Sequence, residues 1–309
     1  MSLATIDLNL LRSLDALLDQ RSVTLAAQRM GLSQPSMSAA LAKLRRHFDD
    51  ELLIRVGREY RLTPLAVQLR YRVRVAVAAA DRVFDAQPEV DLATSTREFR
   101  VMLSDYALRL FGADLAALLG REAPRSRLRF LTLTSAAVER AEQALLDTDV
   151  LVLPHGFITD LEHQDLYDDE WVCVVSSGNS SVGDRLTVAD LQTLPWVVSY
   201  DGPAGSTQAA RSLRMFGVEP HVRVAVEGFQ PVLRLVAGSD LIAFLPRGLV
   251  ERTAAPGIRM LRCPVDLTPL TEAMWWHPVH ESDPEHAYLR DVVRRVTGPV
   301  RDALRGNDR

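Results

Sequence analysis

The chain has 309 residues, which is enough for two or three domains, because domains usually contain about 100 to 150 residues. Hydrophobic residues make up 47% of the sequence and charged residues 25%, which is the composition of a globular protein and excludes a largely disordered one. No apolar run reaches the roughly 18 residues that a membrane span needs, and the amino terminus does not resemble an export signal. We therefore expect a cytoplasmic protein without a membrane partner.

Positive and negative charges are distributed unevenly along the chain. Residues 1–88 contain 13 Lys and Arg against 9 Asp and Glu, whereas residues 89–309 contain 23 against 31. The net charge of −4 argues against a protein that coats nucleic acid. A basic amino-terminal part followed by an acidic remainder is instead typical of a chain in which one domain contacts phosphates. The two cysteines, Cys173 and Cys263, lie in apolar segments, where we expect ordinary buried thiols.

Three short helices are predicted near the amino terminus. Leucines at helical spacing indicate the first over residues 8–18. Ser22 is the expected cap of a second helix that ends at Gly31, and Ser33 caps a third that continues to about Phe48. Two short helices joined around a glycine are typical of a helix-turn-helix. A generic three-helix bundle shows the same apolar spacing, so the spacing alone leaves both interpretations open.

The third helix has an apolar and a polar side. Met37, Leu41 and Leu44 are expected to face inward. The outward positions, where a recognition helix needs groups for base edges and phosphates, are Gln34, Ser36, Ser38 and Lys43.

A small hairpin, or wing, is predicted in ELLIRVGREYRLTP, with Gly57 at its turn. Arg55, Arg58 and Arg61 lie on it and are candidates for contacts with backbone phosphates. The alternative is a solvated surface loop.

A helix of about five turns is predicted from Pro64 to about Phe84, because apolar residues recur there every three or four positions without glycine or further proline. Its apolar stripe can pair with a second copy of the helix in a dimer or pack on its own domain. The segment AQPEVDLATST, which ends near Thr96, is the predicted linker.

From residue 97 onward, β-prone runs alternate with helical segments, first in βαβαβ order and then in a second series that begins at EWVCVVS. A last helix is predicted near residues 285–296. This order indicates two α/β subdomains with a cleft between them. Ligands of such sheets bind outside the carboxyl ends of the strands.

Residues 8–64 resemble the DNA-binding domain of LysR-type transcriptional regulators, through TLAAQRMGLSQPSMSAALAKLRRHFDDELLIRVGREYRLTP. The segments DLNLL, RSVTLAA and HFDDELLIR are most similar to the nodulation-regulator branch of that family. The segments REFRVMLSDYA, LPWVVSY and VAGSDLIAFLPRGLVE resemble the family's effector-binding domain, so the resemblance covers nearly the whole chain.

The resemblance implies an α/β protein: an N-terminal winged helix-turn-helix, a linker helix, and a two-subdomain α/β effector-binding domain of periplasmic-binding-protein type. The expected boundaries are 1–63 for the winged helix-turn-helix, 64–87 for the linker or dimerisation helix, 88–96 for the hinge linker and 97–309 for the effector-binding domain. Within that domain, subdomain I is expected at about 97–167 and 277–309, and subdomain II at about 168–276.

The resemblance also implies site residues. It aligns Gln34, Pro35, Ser36 and Ser38 with the start of the recognition helix, and Arg55 with the wing arginine. The residue pattern adds Ser33, Lys43, Arg58 and Arg61 to the expected DNA-contacting set. The effector-contacting set is Ser104, Asp105, Tyr106, Thr134, Ser135, Pro154, His155, Tyr200, Asp201, Ser206, Phe229, Phe244 and Pro246. For each hydroxyl at a strand-to-helix turn, a plain helix cap is the alternative interpretation.

We therefore expect a regulator whose binding to double-stranded DNA, or whose activation of a promoter, is modulated by a small-molecule effector that is acidic or aromatic. A homodimer or homotetramer is expected, with RNA polymerase as a further candidate partner. Activation and repression are both left open. No dinucleotide, Walker or G-x-S-x-G motif occurs, so no enzymatic activity, cofactor or metal is expected. The alternative is a small-molecule-binding protein or enzyme that uses the C-terminal body, with the helical head serving for assembly.

Overall fold

A computed structural model describes residues 8–56, 59–85, 91–201, 207–253 and 255–306. The chain forms two compact units that divide between residues 88 and 89. The amino-terminal unit contains α1 (Leu8–Gln20), α2 (Val23–Met30), α3 (Gln34–Phe48), β1 (Leu53–Val56), β2 (Glu59–Leu62) and α4 (Pro64–Asp85). These bounds confirm the predicted helices and the predicted hairpin.

Local signals explain how α2 begins and ends. The Ser22 hydroxyl accepts a hydrogen bond from the backbone N–H of Leu25, which satisfies one of the free donors of the first turn. Gly31 follows the helix with φ +63°, a left-handed conformation that glycine adopts without steric cost. The chain then turns at once into α3, so the two helices form the predicted helix-turn-helix.

The core of the amino-terminal unit is formed by all four helices and the first strand. Met37 is fully buried on α3 beside Leu14 and Leu17 of α1. Ala66 and Val73 on α4 are buried in the same cluster. The first half of α4 therefore packs on its own domain, which was one of the two predicted uses of its apolar stripe.

The carboxyl-terminal unit contains two five-stranded sheets. Its strands are β3 (Glu98–Leu103), β4 (Arg127–Thr132), β5 (Val150–Pro154), β6 (His163–Asp169), β7 (Trp171–Ser176), β8 (Pro195–Ser199), β9 (His221–Val226), β10 (Ile242–Pro246), β11 (Ile258–Leu261) and β12 (Leu270–Trp275). The strand order is β4-β3-β5-β12-β6 in the first sheet and β11-β7-β10-β8-β9 in the second. Because β3, β4 and β5 are parallel, their carboxyl ends meet at one edge of the first sheet.

Helices connect and cover these strands. They are α5 (Asp105–Ala107), a π-helical turn (Leu108–Gly112), α6 (Ala113–Glu122), α7 (Ser135–Val138), α8 (Ala141–Asp147), α9 (Val188–Thr193), α10 (Gln208–Met215), α11 (Gln230–Val236), α12 (Arg247–Arg252), a 3-10 turn (Pro278–His280) and α13 (Pro284–Gly306). In the described part of the chain, no helix has both the length and the apolar character to cross a membrane.

The chain returns to the first subdomain earlier than predicted. β12 lies inside the first sheet, where it pairs antiparallel with β5 on one side and β6 on the other. The predicted limit of subdomain II at about residue 276 is therefore wrong, because strand pairing places the return near Leu270. A central strand needs partners for the backbone groups of both its edges, and β5 and β6 supply them.

Three further features differ from the predictions. The edge strands β6 and β11 were not predicted, because the β6 segment HQDLYDD is mostly polar and β11 has only four residues. Helix α13 continues ten residues beyond the predicted end and includes Pro299, which removes one backbone hydrogen bond. The next residue, Val300, is nonetheless 3% exposed. The free energy gained by burying its side chain offsets the loss of that hydrogen bond.

Candidate nucleic-acid interface and ligand cleft

The exposed side of α3 carries the polar residues singled out by the sequence. Ser33 caps the helix with extended backbone, and its hydroxyl accepts a hydrogen bond from the Ser36 backbone N–H at 3.2 Å. The Ser33 and Ser36 hydroxyl oxygens lie 2.8 Å apart. All expected contact residues of this helix are exposed: Ser33, Gln34, Pro35, Ser36, Ser38 and Lys43. The predicted inward side is confirmed, since Met37, Leu41 and Leu44 are buried.

The hairpin places its arginines on different faces. In the antiparallel register Arg55 lies opposite Tyr60, and Ile54 lies opposite Arg61. Partners across a ladder share a face, whereas neighbours along a strand alternate. One face of the hairpin therefore presents Arg55 and the other presents Arg61, which the sequence spacing did not reveal. Arg58 lies outside the described residues.

Side-chain hydrogen bonds fix the hairpin to the helices on both sides of it. Arg45, in the last turn of α3, donates to the Leu53 carbonyl of β1 at 2.9 Å. Thr63 donates from Oγ1 to Asp50 Oδ1 at 2.6 Å and accepts from the Ala66 backbone N–H at 3.1 Å. The wing, α3 and the start of α4 are thus held in one arrangement.

Asp19 connects three helices of the amino-terminal unit. Its carboxylate on α1 accepts hydrogen bonds from Arg29 of α2 at 2.7 Å and from Arg74 of α4 at 3.0 Å. Arg70 of α4 lies 3.5 Å from the same carboxylate. Because the Asp19 side chain is 25% exposed, water screens these ion pairs and they add little to the free energy of unfolding. Their main effect is to orient the three helices.

In the carboxyl-terminal unit, the carboxyl ends of β3 and β4 contact the second subdomain. The Asp105 carboxylate accepts the backbone N–H of Phe229 at 2.9 Å and that of Gln230 at 2.8 Å. The Ser135 backbone N–H donates to Glu227 Oε2 at 2.9 Å. Hydrogen bonds therefore join the two subdomains directly across the cleft.

The loop after β5 contacts α10 in the same way. Gln208 donates from Nε2 to the His155 carbonyl at 2.8 Å. Arg211 donates to the Gly156 carbonyl at 3.2 Å, and its guanidinium lies 4.1 Å from the centre of the Phe157 ring. Contacts thus join the two subdomains beyond the carboxyl ends of β3, β4 and β5.

A small cavity remains between the subdomains. Its volume is about 30 Å³, enough for about two water molecules but not for an aromatic metabolite. Four of the expected effector residues line it: Ser104, Pro154, Tyr200 and Phe229. Five polar or aromatic lining residues were not predicted: Phe157, Trp171, Thr207, Gln208 and Glu272. A ligand larger than water therefore requires the bridged cleft to open.

The remaining expected effector residues do not line the cavity: Asp105, Tyr106, Thr134, Ser135, His155, Asp201, Phe244 and Pro246. Ser206 lies outside the described residues. Thr134 caps α7, and Ser104 caps α5 although it also lines the cavity, so the helix-cap alternative holds for these two hydroxyls. Tyr106 donates to Asp169 at 2.5 Å, and Phe244 packs on Trp196 with ring centres 5.0 Å apart.

Four buried polar atoms on the cavity wall have no hydrogen-bond partner in the described part of the chain. They are Trp171 Nε1, the Tyr200 hydroxyl oxygen, Gln208 Oε1 and Glu272 Oε2. Buried polar groups of folded proteins are almost always paired, so a group of four around one cavity indicates a site for a polar ligand or water.

Glu272 is the acidic group of this cavity. Its side chain is 3% exposed, and burial, followed by the charge of Asp169, raises the pKa of Glu272 to about 8. The protonated form therefore predominates at neutral pH. Burial also raises the pKa of Asp169, although Tyr106 and the Gly248 backbone N–H donate hydrogen bonds to it.

The sequence carried a signal for Glu272. It is the one acidic residue of the β12 segment LTEAMW, whose other side chains are apolar except for Thr271. A lone acid within a buried strand is a candidate functional group, because its burial is costly without a partner.

A larger open groove, with a volume of about 360 Å³, lies away from the carboxyl ends of β3, β4 and β5. Both of its arginines are paired with acidic residues, since Arg247 lies 3.5 Å from Glu170 and Arg305 lies 3.3 Å from Asp168. The cavity in the cleft, with its group of unpaired buried polar atoms, is therefore the stronger candidate for a ligand site.

A winged helix-turn-helix with an exposed polar recognition face, combined with an α/β unit that has a polar cavity between two subdomains, defines a ligand-responsive DNA-binding regulator. Residues 8–67 match the bacterial regulatory helix-turn-helix proteins of the lysR family, and residues 92–298 match the LysR substrate binding domain. The chain belongs to the LysR family of bacterial transcriptional regulators. It binds DNA and carries an effector-binding domain, and the family is one of regulators and not of enzymes.

Relatives and solved structures agree with this assignment. The chain is 32% identical to Nodulation protein D 2 of Rhizobium tropici over 290 residues, covering 93% of this chain and 92% of that protein. It is 33% identical to Nodulation protein D 1 of Bradyrhizobium japonicum, covering 96% and 92%. The fold is similar to full-length OxyR from Pseudomonas aeruginosa (TM-score 0.70, 18% identity, 94% and 95% covered). It is also similar to full-length CbnR complexed with its target DNA (TM-score 0.60, 19% identity, 94% and 100% covered).

Proposed function

We propose that the exposed side of α3 enters the major groove of an operator. Gln34, Ser36 and Ser38 then contact base edges, with Ser33 and Pro35 at the groove-proximal turn. Lys43 on α3 and Arg55 on the wing contact phosphates. The observation that carries this proposal is the exposed polar face of a helix whose opposite side is locked in the core.

The regulator acts in the cytoplasm as a homodimer or homotetramer, in which two α3 helices reach major grooves one helical turn, about 34 Å, apart. Val67 supports a role of α4 in assembly, because this apolar residue is 58% exposed on a helix whose Ala66 and Val73 face their own core. Effector binding changes the spacing of the two helices, and RNA polymerase is the partner through which transcription responds.

A titration of fluorescent duplexes tests the roles on DNA. The duplexes contain the DNA upstream of the protein's own gene and single-base variants of it, measured at several salt concentrations. We expect Arg55→Ala to weaken binding to every duplex and to reduce the salt slope by about one. Gln34→Ala should instead change the preference among the duplexes.

Arg223→Ala is the control, because Arg223 is an exposed arginine on β9 of the carboxyl-terminal unit. It should leave both the affinity and the salt slope close to those of the unmodified protein. Equal losses on every duplex for Gln34→Ala and Arg55→Ala would contradict the assigned roles.

We further propose that the effector occupies the cavity after the cleft opens, and that it carries no negative charge and both donates and accepts hydrogen bonds. Gln208 Oε1 offers an acceptor, Trp171 Nε1 offers a donor, and the protonated Glu272 carboxyl can do either. No Lys or Arg is found among the described residues that line the cavity. The family resemblance predicts an acidic or aromatic effector. An acidic effector fits this cavity poorly, because no cationic side chain among the described lining residues would pair with it. An aromatic one fits well, since the Phe229 ring lies 5.2 Å from Tyr200 and 6.0 Å from Trp171 between ring centres.

Three ligands that share one ring test the charge preference: benzylamine, benzyl alcohol and benzoate. A ligand that binds only the folded protein raises the melting temperature. We expect benzylamine and benzyl alcohol to raise it and benzoate to leave it unchanged. The benzylammonium ion would bind by displacing the proton of Glu272, so Glu272→Gln should remove the effect of benzylamine, whereas the exposed control Glu219→Gln should retain it. Stabilisation by benzoate, or by none of the three, would contradict the proposal.

A further inference from the structure

A histidine and aspartate cluster lies on the first subdomain, and none of its three residues lines the cavity. His155 follows β5, and His163 and Asp165 belong to β6. One potential ligand atom from each side chain lies within 4.8 Å of the others. His155 Nε2 and Asp165 Oδ1 are already 2.6 Å apart. All three side chains are accessible, at 37% for His155 and 62% for Asp165.

The sheet explains why these three residues meet. β12 lies between β5 and β6, with Trp275 opposite His163 and Ala273 opposite both Asp165 and Leu153. His163 and Asp165 are two residues apart on one strand and therefore share a face. Two of the three residues thus stand on a paired strand, where sites are positioned more rigidly than on loops, and His155 lies in the turn that follows β5.

The indole ring of Trp275 packs against the imidazole rings of His163 and His155. Its ring centre is 4.5 Å from that of His163 and 5.4 Å from that of His155. The indole is itself held, because it is 2% exposed and its Nε1 donates to the Leu153 carbonyl at 2.7 Å. The two rings therefore lie against a fixed aromatic surface.

His163 also has a hydrogen bond suited to a metal ligand. Its Nδ1 lies 3.2 Å from the Leu161 carbonyl, which can only accept, so the neutral ring that binds a metal would hold its proton on Nδ1 and offer the Nε2 lone pair. A backbone carbonyl that accepts from the second ring nitrogen is the usual partner of a metal-binding histidine.

We propose that His155, His163 and Asp165 bind a late first-row divalent metal ion, of which Zn²⁺ is the best match. Two imidazoles and one carboxylate are a zinc ligand set, and three protein ligands leave one position for water. Bonds of about 2.0 to 2.2 Å in a tetrahedral site separate neighbouring ligand atoms by about 3.3 Å. The exposed side chains of His155 and Asp165 reach that spacing by small rotations, with the metal replacing their mutual hydrogen bond.

A metal ion bound by these three residues would affect how the cleft opens. The His155 carbonyl accepts the Gln208 side chain of α10, and Gln208 also lines the cavity. The next residue, Gly156, accepts Arg211 of the same helix. A bound metal would therefore fix the loop that bridges the subdomains and restrict opening of the cleft.

Calorimetric titration of the tag-free, full-length protein with ZnCl₂ tests this site. We expect one ion per chain, and at least a tenfold loss of affinity for both His163→Ala and Asp165→Asn. His221→Ala is the matched control, because His221 is exposed on β9 and lies outside the cluster; it should bind like the unmodified protein. Circular dichroism of each variant confirms that the fold is retained.

Co²⁺ supplies an independent spectroscopic readout. Replacing Zn²⁺ by Co²⁺ should give visible absorption bands of a four- or five-coordinate ion, and these bands should disappear in His163→Ala. If the unmodified protein binds no Zn²⁺, or if His163→Ala and Asp165→Asn bind it as tightly as His221→Ala does, the cluster is only a hydrogen-bonded contact between His155 and Asp165.

Discussion

Asp105 and Phe229 meet across the cleft of the effector-binding unit. The backbone N–H of Phe229 lies 2.9 Å from Asp105 Oδ1 and 3.0 Å from Oδ2. The next N–H, of Gln230, lies 2.8 Å from Oδ2. Because Phe229 also lines the cavity, opening the cavity must break this bridge.

Asp105→Ala should weaken the contact between the subdomains. It removes the acceptor of two backbone N–H groups, and bonds to a charged acceptor are worth about 1.5 to 3 kcal/mol each before water replaces them. We expect a loss of about 1 to 3 kcal/mol in the free energy of unfolding, measured with urea. Asp114→Ala, an exposed aspartate on α6, is the control and should lose less than about 0.5 kcal/mol. Equal stability of the two variants would show that the bridge contributes nothing.

Gly228→Ala should disturb the same bridge from the other side. Gly228 has φ +104°, and a Cβ there would lie 2.8 Å from Asp105 Oδ2. Gly217→Ala is the matched control, because Gly217 has φ +71° but no atom within 4 Å of its Cβ position. Both variants carry a backbone cost of about 1 to 3 kcal/mol, which is larger at φ +104° than at φ +71° because only the latter is near the left-handed helical region. We expect Gly228→Ala to lose at least about 1 kcal/mol more in urea unfolding, and equal losses would contradict a clash with Asp105.

The amino-terminal unit could be predicted almost completely from the sequence, because its signals are local. Ser22, Gly31 and Ser33 mark helix ends through bonds and dihedral angles within a few residues. The faces of the hairpin could not be predicted, since the side of Arg55 and of Arg61 depends on the register across two strands.

The cavity was harder to predict, because its wall is assembled from distant segments. Tyr200 and Phe229 follow strand ends and were found by resemblance, whereas Glu272 lies on a strand that the sequence order assigned to the other subdomain. Its place in the first sheet depends on pairing with residues more than a hundred positions earlier, which periodicity does not report.

Thr63→Ala should reduce both stability and DNA affinity. Thr63 is 6% exposed, caps α4 and donates to Asp50, so its loss removes a cap worth about 0.5 to 2 kcal/mol and frees the base of the hairpin. Urea unfolding and duplex titration measure the two effects. Thr187→Ala removes a comparable cap from α9 in the other unit and should leave DNA affinity unchanged. If both variants bind DNA normally, Thr63 does not position the wing.

Glu272 should make the stability of the protein depend on pH. The pKa of Glu272 is raised from 4.5 to about 8, so the folded state favours the protonated carboxyl. Its contribution is fully present below about pH 4.5, declines as the pH rises, and is lost above about pH 8. A shift of this size corresponds to at most about 5 kcal/mol, because each pKa unit is worth about 1.4 kcal/mol.

Urea unfolding of the unmodified protein and of Glu272→Gln at pH 5, 7 and 9 measures this contribution, because the amide does not titrate while Asp169, Tyr167 and Tyr200 are unchanged. We expect the variant to gain stability relative to the unmodified protein at each step from pH 5 to pH 9. The exposed control Glu219→Gln should differ from the unmodified protein by the same amount at all three values. A constant difference for Glu272→Gln as well would mean that the Glu272 carboxyl ionises as readily in the folded protein as in the unfolded chain, and the cavity would then present a carboxylate to any ligand at neutral pH.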